Sequence, residues 1–162
     1  MFSSAIEPAE RGGWLRLIRT KRIGPHSFWS LIERFGTALE ALEALPELSI
    51  RGGAKNPLTP FSAERAEQEY RGLRDIGGSL ITAADTVFPV LLRQINDPPP
   101  VLSILGNPEL LPRPSIAMVG ARNASTNGAR FASKLAQGLA AERFNVVSGS
   151  ARGIDAAVHA AT

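Results

Sequence analysis

Apolar positions in the first half of the chain recur at helical spacing. Trp14, Leu15, Leu17 and Ile18 form one stripe, and Phe28, Leu31, Ile32 and Phe35 form a second. Apolar residues three and four apart share one face of a 3.6-residue repeat, so each stripe predicts an amphipathic helix. Between them, Arg22-Ile23-Gly24-Pro25-His26 predicts a tight turn, with Gly and Pro where a hairpin needs them. Thr37 is placed to cap a third helix that runs through Leu45 and ends at Pro46. Ser62 is placed to cap a fourth over Ala63–Ile76, stopped by Gly77-Gly78. Residues 10–77 therefore predict a small all-helical bundle, within a first domain of residues 1–77.

The period then changes. Leu80-Ile81-Thr82 and Val101–Leu105 predict short strands. Between them, the three prolines of Asn96-Asp97-Pro98-Pro99-Pro100 remove backbone donors and fix φ, which excludes a helix interior. Pro112 and Pro114 frame a second approach to a strand. Ile116–Val119 is an apolar run without alternation, the pattern of a strand buried on both faces, and Gly120 ends it. Ser125 or Thr126 caps a helix from about Asn127 to Glu142, with Phe131, Leu135 and Leu139 as its inward stripe and Ala132, Ala136 and Ala140 beside them. Asn145–Ser148 is the next strand, ended by Gly149, and a further helix begins near Gly153 and is still running at Thr162. One βαβ unit and the start of another predict a parallel sheet, so the fold class is α/β behind a helical front end, with a second domain over residues 78–162. A parallel sheet needs helices on both faces and several strands. The chain is therefore expected to be the front part of a longer protein, and poorly soluble by itself.

Composition adds three constraints. There is no cysteine, which excludes disulfides and thiolate metal sites. Met1–Arg11 lacks the apolar core of a signal peptide, and no apolar run approaches the ~20 residues of a membrane helix, so a cytoplasmic protein without membrane contact is expected. The net charge of +3 is unevenly spread: residues 1–35 carry six Lys/Arg against three Asp/Glu, residues 36–97 six against nine, and residues 110–162 six against two. Basic ends around an acidic middle point to contact with a polyanion, although an unevenly solvated surface gives the same pattern.

Two loops carry the candidate chemistry. Gly120-Ala121-Arg122-Asn123-Ala124-Ser125 follows one strand, and Ser148-Gly149-Ser150-Ala151-Arg152-Gly153 follows the next. In an open parallel sheet such loops share the crevice where ligands bind. Glycine lets backbone approach an anion, helix-start N–H groups point at it, and arginine offers a fork of donors to phosphate oxygens. Gly120, Arg122, Asn123, Ser125, Ser148, Gly149, Ala151 and Arg152 are the candidate phosphate-binding residues. Either loop alone is explained by glycines closing a turn; the pair, each with an arginine and small hydroxyl residues, points to a ligand. Gly120 has no Gly two residues on, no acidic residue follows the second strand, and no phosphate-loop lysine motif is present, so neither NAD nor ATP fits and no cofactor is expected. No catalytic residue and no metal site are expected either. His26 and His159 are the only histidines, and His159 is placed to pair with Asp155 one turn before it in a structural role.

Val119-Gly120-Ala121-Arg122, followed by the long stretch Val147-Ser148-Gly149-Ser150-Ala151-Arg152-Gly153-Ile154-Asp155-Ala156-Ala157-Val158-His159, resembles the DNA-processing protein A (DprA/Smf) family. Phe88-Pro89, Asp97-Pro98-Pro99, Leu105-Gly106 and the helical front end resemble it too, so the likeness covers nearly the whole chain. The resemblance implies a sterile-alpha-motif-like helical domain followed by an extended Rossmann-like domain. It also implies single-stranded DNA binding and loading of the RecA recombinase during natural transformation. The family's phosphate-contacting arginine falls on Arg122, and its cradle on Ser148, Gly149 and Ala151. Ala121, Ser150 and Phe88 depart from the family's usual Ser, Leu and Tyr. The rest of the Rossmann-like domain, with further basic contacts and the surface for a homodimer, is expected outside these residues. Two other classes compete: a nucleotide phosphoribohydrolase-type enzyme, which needs a carboxylate beside a Gly-Gly-x-Gly-Thr loop, and a protein-binding module built on the helices. Finally, Arg22-Ile23-Gly24-Pro25 with Lys21 resembles half of a helix-hairpin-helix, but Pro25 removes one donor, and scaffolding is the preferred reading.

Overall fold

The computed structural model describes residues 6–162; Met1–Ala5 of the expected first domain lie outside the described residues. The chain divides into two compact units, one ending at Pro108 and the other spanning Glu109–Thr162. Among the described residues no helix is long and apolar enough to cross a membrane.

The first unit contains α1 (Pro8–Arg19), α2 (Pro25–Phe35), α3 (Ala38–Arg51), α4 (Ala63–Asp75), β1 (Gly78–Thr82), the short α5 (Val90–Arg93) and β2 (Val101–Leu105). Proline stands in the first turn of α1 and α2, where its missing N–H costs nothing. The Thr37 and Ser62 side chains cap α3 and α4 by accepting from the N–H groups of Glu40 and Arg65. Trp14, Leu17, Phe28, Ala41, Leu42 and Leu45 form the buried centre, with Trp14 and Phe28 edge to face at 5.0 Å.

Pro46 does not end α3, which continues to Arg51. A proline inside a helix removes one backbone hydrogen bond and crowds the preceding turn. Here the turns before it are pinned by buried Ala41, Leu42 and Leu45. The turn after it is tied by Ser49, whose hydroxyl donates to the Pro46 carbonyl and accepts from the Leu58 N–H. Packing on both sides of the break outweighs the local preference.

β1 and β2 form their own antiparallel pair, from Gly78↔Leu105 to Thr82↔Val101. Leu80 packs with Leu15 and Ala66, against Phe61, Tyr70 and Leu73, so this hairpin belongs to the helical unit although the apolar period changes at residue 78. Trp29 Nε1 donates to the Pro98 carbonyl at 2.8 Å, which fastens the proline connector to α2. Arg11 makes a two-pronged ion pair with Asp85, at 2.6 and 2.7 Å, and also donates to the Leu80 carbonyl.

The second unit runs β3 (Ser115–Ala117), α6 (Thr126–Ala141), β4 (Asn145–Val147) and α7 (Ile154–His159). β3 and β4 are parallel, with Ile116 opposite Val146. Gly120 and Gly149 therefore follow neighbouring strand ends, as the βαβ pattern predicts. Buried Ala132, Ala136 and Val158 hold α6 and α7 against Met118, Val146 and Ile154.

Two expectations are corrected here. The Ile116–Val119 strand was expected to be buried on both faces. Instead burial alternates: Ile116 and Met118 are half-buried, Met118 against the helices, while Val119 is 83% and Val147 51% exposed. The inward stripe of α6 is Ala132 and Ala136, and Phe131 and Leu135 are 70% and 45% exposed. The apolar arc of α6 is wide enough to fit either edge, and close approach of α7 and the strands selects its small residues.

The bare apolar surface of this unit favours self-association. Phe131→Glu with Val147→Thr is expected to lower the light scattering of a concentrated solution while shifting stability by no more than about 0.5 kcal/mol. Scattering equal to the parent chain would place the sticky surface elsewhere.

Candidate nucleic-acid interface

Both loops leave the same end of the β3–β4 pair and are tied at successive levels. The Met118 N–H donates to the Val147 carbonyl at 2.9 Å, and the Ser148 hydroxyl donates back to the Met118 carbonyl at 2.7 Å. Further out, the Ile154 N–H donates to the Ala121 carbonyl at 3.2 Å.

Glycine is required where the loops meet. A Cβ on Gly120 would lie 2.6 Å from Ile154 Cγ1. Gly153 has φ of +85°, and a Cβ there would fall on the Ala121 carbonyl oxygen and 2.5 Å from that of Arg122. A Cβ on Gly149 would sit 2.7 Å from Asp155 Oδ2. The close approach that glycine allows is thus to the neighbouring loop and to α7.

The two helix starts differ. Ser125 Oγ accepts from the Gly128 N–H at 3.1 Å and so caps α6. The N–H groups of Thr126 and Asn127 then have no hydrogen-bond partner among the described residues. At α7 the first N–H, of Ile154, is taken by the Ala121 carbonyl, and buried Asp155 supplies a negative charge in the first turn. The open donor end therefore belongs to α6. His159 Nε2 reaches the Gly149 carbonyl at 2.9 Å rather than Asp155, so the expected Asp155–His159 pair is not formed and His159 ties α7 to the second loop instead.

Gly120, Arg122, Asn123 and Ser125 are exposed on the first loop; Gly149 and Arg152 are exposed on the second, where Ser148 and Ala151 are half-buried. Neither Arg122 nor Arg152 has an ion-pair partner among the described residues. Arg130 and Lys134 were not among the candidate residues. Both line an open groove of about 820 Å³ along α6, with Ser125, Thr126, Ser133 and Gln137. Their spacing of four residues was the available signal, since it places them on one helix edge. A cradle of small residues, free helix-start donors and unpaired cations can hold an extended anion. Among the described residues no group of three or more His, Asp or Glu is arranged to hold a metal ion.

Residues 79–162 match the model of the family described as DNA recombination-mediator protein A, and residues 8–72 match a DprA-like N-terminal HHH domain. The chain belongs to the DNA recombination-mediator protein A family. Family members of similar sequence include Protein Smf of Synechocystis sp., 30% identical across 93% of this chain and 40% of that protein. DNA processing protein DprA of Bacillus subtilis is 34% identical across 83% of this chain and 46% of that protein. The chain thus spans less than half the length of these relatives. The solved structure of DNA processing protein A from Streptococcus pneumoniae superposes with a TM-score of 0.64 at 27% identity, covering 93% of this chain and 53% of that one. Family and fold agree with the resemblance carried by the two loops.

Proposed function

We propose that the crevice formed by Gly120, Arg122, Asn123, Ser125, Ser148, Gly149, Ala151 and Arg152 binds single-stranded DNA by its phosphates. No chemistry is performed on the DNA, and binding serves loading of RecA during natural transformation in the cytoplasm. The observation that carries this reading is the pair of interlocked glycine loops at adjacent parallel strand ends, bearing unpaired Arg122 and Arg152. The proposed division of labour follows residues 1–77 and 78–162, which the two family matches support. A homodimer would use segments outside these residues.

Phosphate contacts position a strand and carry no base information. Arg122→Ala should therefore weaken binding to a dT oligomer and to a mixed-base oligomer alike, by about three- to tenfold. It should also flatten log affinity against log salt by roughly 0.7, the value of one single-strand phosphate contact. The measurement is fluorescence anisotropy over a salt series, with circular dichroism to confirm folding. Wild-type affinity and slope in a folded Arg122→Ala protein would remove the crevice as the DNA site.

A further inference from the structure

α6 starts at the end of the first loop and carries no Asp or Glu along its 16 residues. Its two cations, Arg130 and Lys134, are exposed and have no ion-pair partner among the described residues. Elsewhere helix cations are neutralised by a carboxylate one turn away: Arg51 pairs with Glu47, and Arg71 with Glu67. The open groove beside α6 begins at Ser125 and Thr126, so it continues the crevice, and no acidic residue lines it. From Ser125 to Lys134 the helix advances about 14 Å, which carries positive charge well beyond the loops.

Phe131 supplies a second, independent signal. It follows Arg130, stands one turn before Lys134, and is 70% exposed. The inward edge of α6 is Ala132 and Ala136, so packing of the core does not call for a large ring at position 131. In the first unit Phe61, Tyr70 and Phe88 each lie under an arginine, and Trp14, Phe28 and Trp29 pack edge to face. Phe131 has neither a ring nor a cation against it among the described residues. Half-exposed Leu135, one turn further on, extends the same apolar face.

We infer that a single DNA strand leaves the crevice along α6, with its phosphates on Arg130 and Lys134 and one base stacked on Phe131. The inference rests on the reading that the crevice binds single-stranded DNA, and it adds a base contact to a site otherwise built for backbone. An open ring beside unpaired cations suits such a strand: the cations track the backbone, and the ring takes the π-face that an unpaired base offers. Two cations spaced along an open groove fit successive phosphates rather than one free nucleotide.

The test uses Phe131→Ala, Phe131→Tyr and the double variant Arg130→Ala with Lys134→Ala in the full chain, beside Arg122→Ala. Each is titrated in dilute solution with a labelled dT oligomer, over a salt series, and with an abasic oligomer of the same length. The substituted side chains are exposed and alanine favours helix, so all α6 variants should melt as the parent does. Phe131→Ala is expected to weaken dT binding about fivefold, with no change in salt slope and no loss on the abasic strand. Phe131→Tyr should bind as the parent. The double variant should flatten the salt slope by roughly 1.4, the value of two single-strand phosphate contacts, on both oligomers. Parental dT affinity in Phe131→Ala, or an equal loss on the abasic strand, overturns the inference, and the crevice stands if Arg122→Ala still loses affinity. If the α6 variants behave as expected and Arg122→Ala binds as the parent, the α6 path stands and the crevice reading fails. A parent chain that binds no oligomer overturns both.

Discussion

Gly153→Ala is expected to abolish DNA binding at the crevice while leaving the helical unit folded. The added methyl would fall on the Ala121 carbonyl oxygen, at a backbone angle reserved for glycine. Left-handed strain of about 1–2 kcal/mol and overpacking of about 1–3 kcal/mol fall on a unit whose strands pair over three positions each. The Ile154–Ala121 hydrogen bond and the Gly120–Ile154 contact would separate, and with them the two loops. Trp14 and Trp29, the only tryptophans, both lie in the first unit, so tryptophan fluorescence reports on that unit alone. The expected result is unchanged fluorescence, shifted methyl signals from Val158 and loss of oligomer binding. Unchanged Val158 signals with parental affinity would show that the loops tolerate the methyl, and that their interlock is not what shapes the site.

Asp85→Asn should destabilise the first unit by about 3 kcal/mol at neutral pH, because it leaves the half-buried Arg11 guanidinium without its countercharge. Asp85 Oδ2 also accepts from the Thr82 N–H at 2.6 Å and from its hydroxyl at 3.0 Å. Burial opposes ionisation of this carboxyl, but Arg11 and Thr82 outweigh it and hold its pKa below the ordinary 3.8. On acidification the unfolded chain takes up the proton first. The stabilisation is therefore complete above the ordinary pKa and is lost as pH falls through the folded value. Urea midpoints at neutral pH and near pH 3 would show the parent weakening in acid, with the Asp85→Asn protein losing less over the same range. A variant matching the parent at both pH values would mean that the ion pair contributes nothing net.

Much of this architecture is visible in the sequence, and the omissions have identifiable causes. Thr37, Ser62 and Ser125 announce their helices because a cap is a local interaction, complete within three residues. The two glycine loops are legible for the same reason: each lies between a short apolar run and a helical pattern. Pro46 misleads because its local cost is overridden by buried residues on α3 and by Ser49, which local preference does not weigh. Phe131 and Leu135 mislead because periodicity gives an apolar arc but not which edge meets a neighbour. The Arg11–Asp85 pair joins residues far apart in the chain and has no sequence signature. The two loops were legible in the sequence, whereas Arg130 on α6 offered only its four-residue spacing from Lys134 until the groove beside that helix had a shape.

The interlock of the two loops has an implication for how such a site is inherited or transplanted. Gly120 leaves room that Ile154 fills, and Gly153 leaves room that the Ala121 and Arg122 carbonyls fill. Each loop is the mould of the other. A larger residue at position 120 is tolerable only with a smaller one at 154, and a changed course at 121–122 only with a changed turn at 153. The two segments therefore form one heritable module despite the whole of α6 between them, and grafting either alone onto another parallel sheet would carry over the residues without the site.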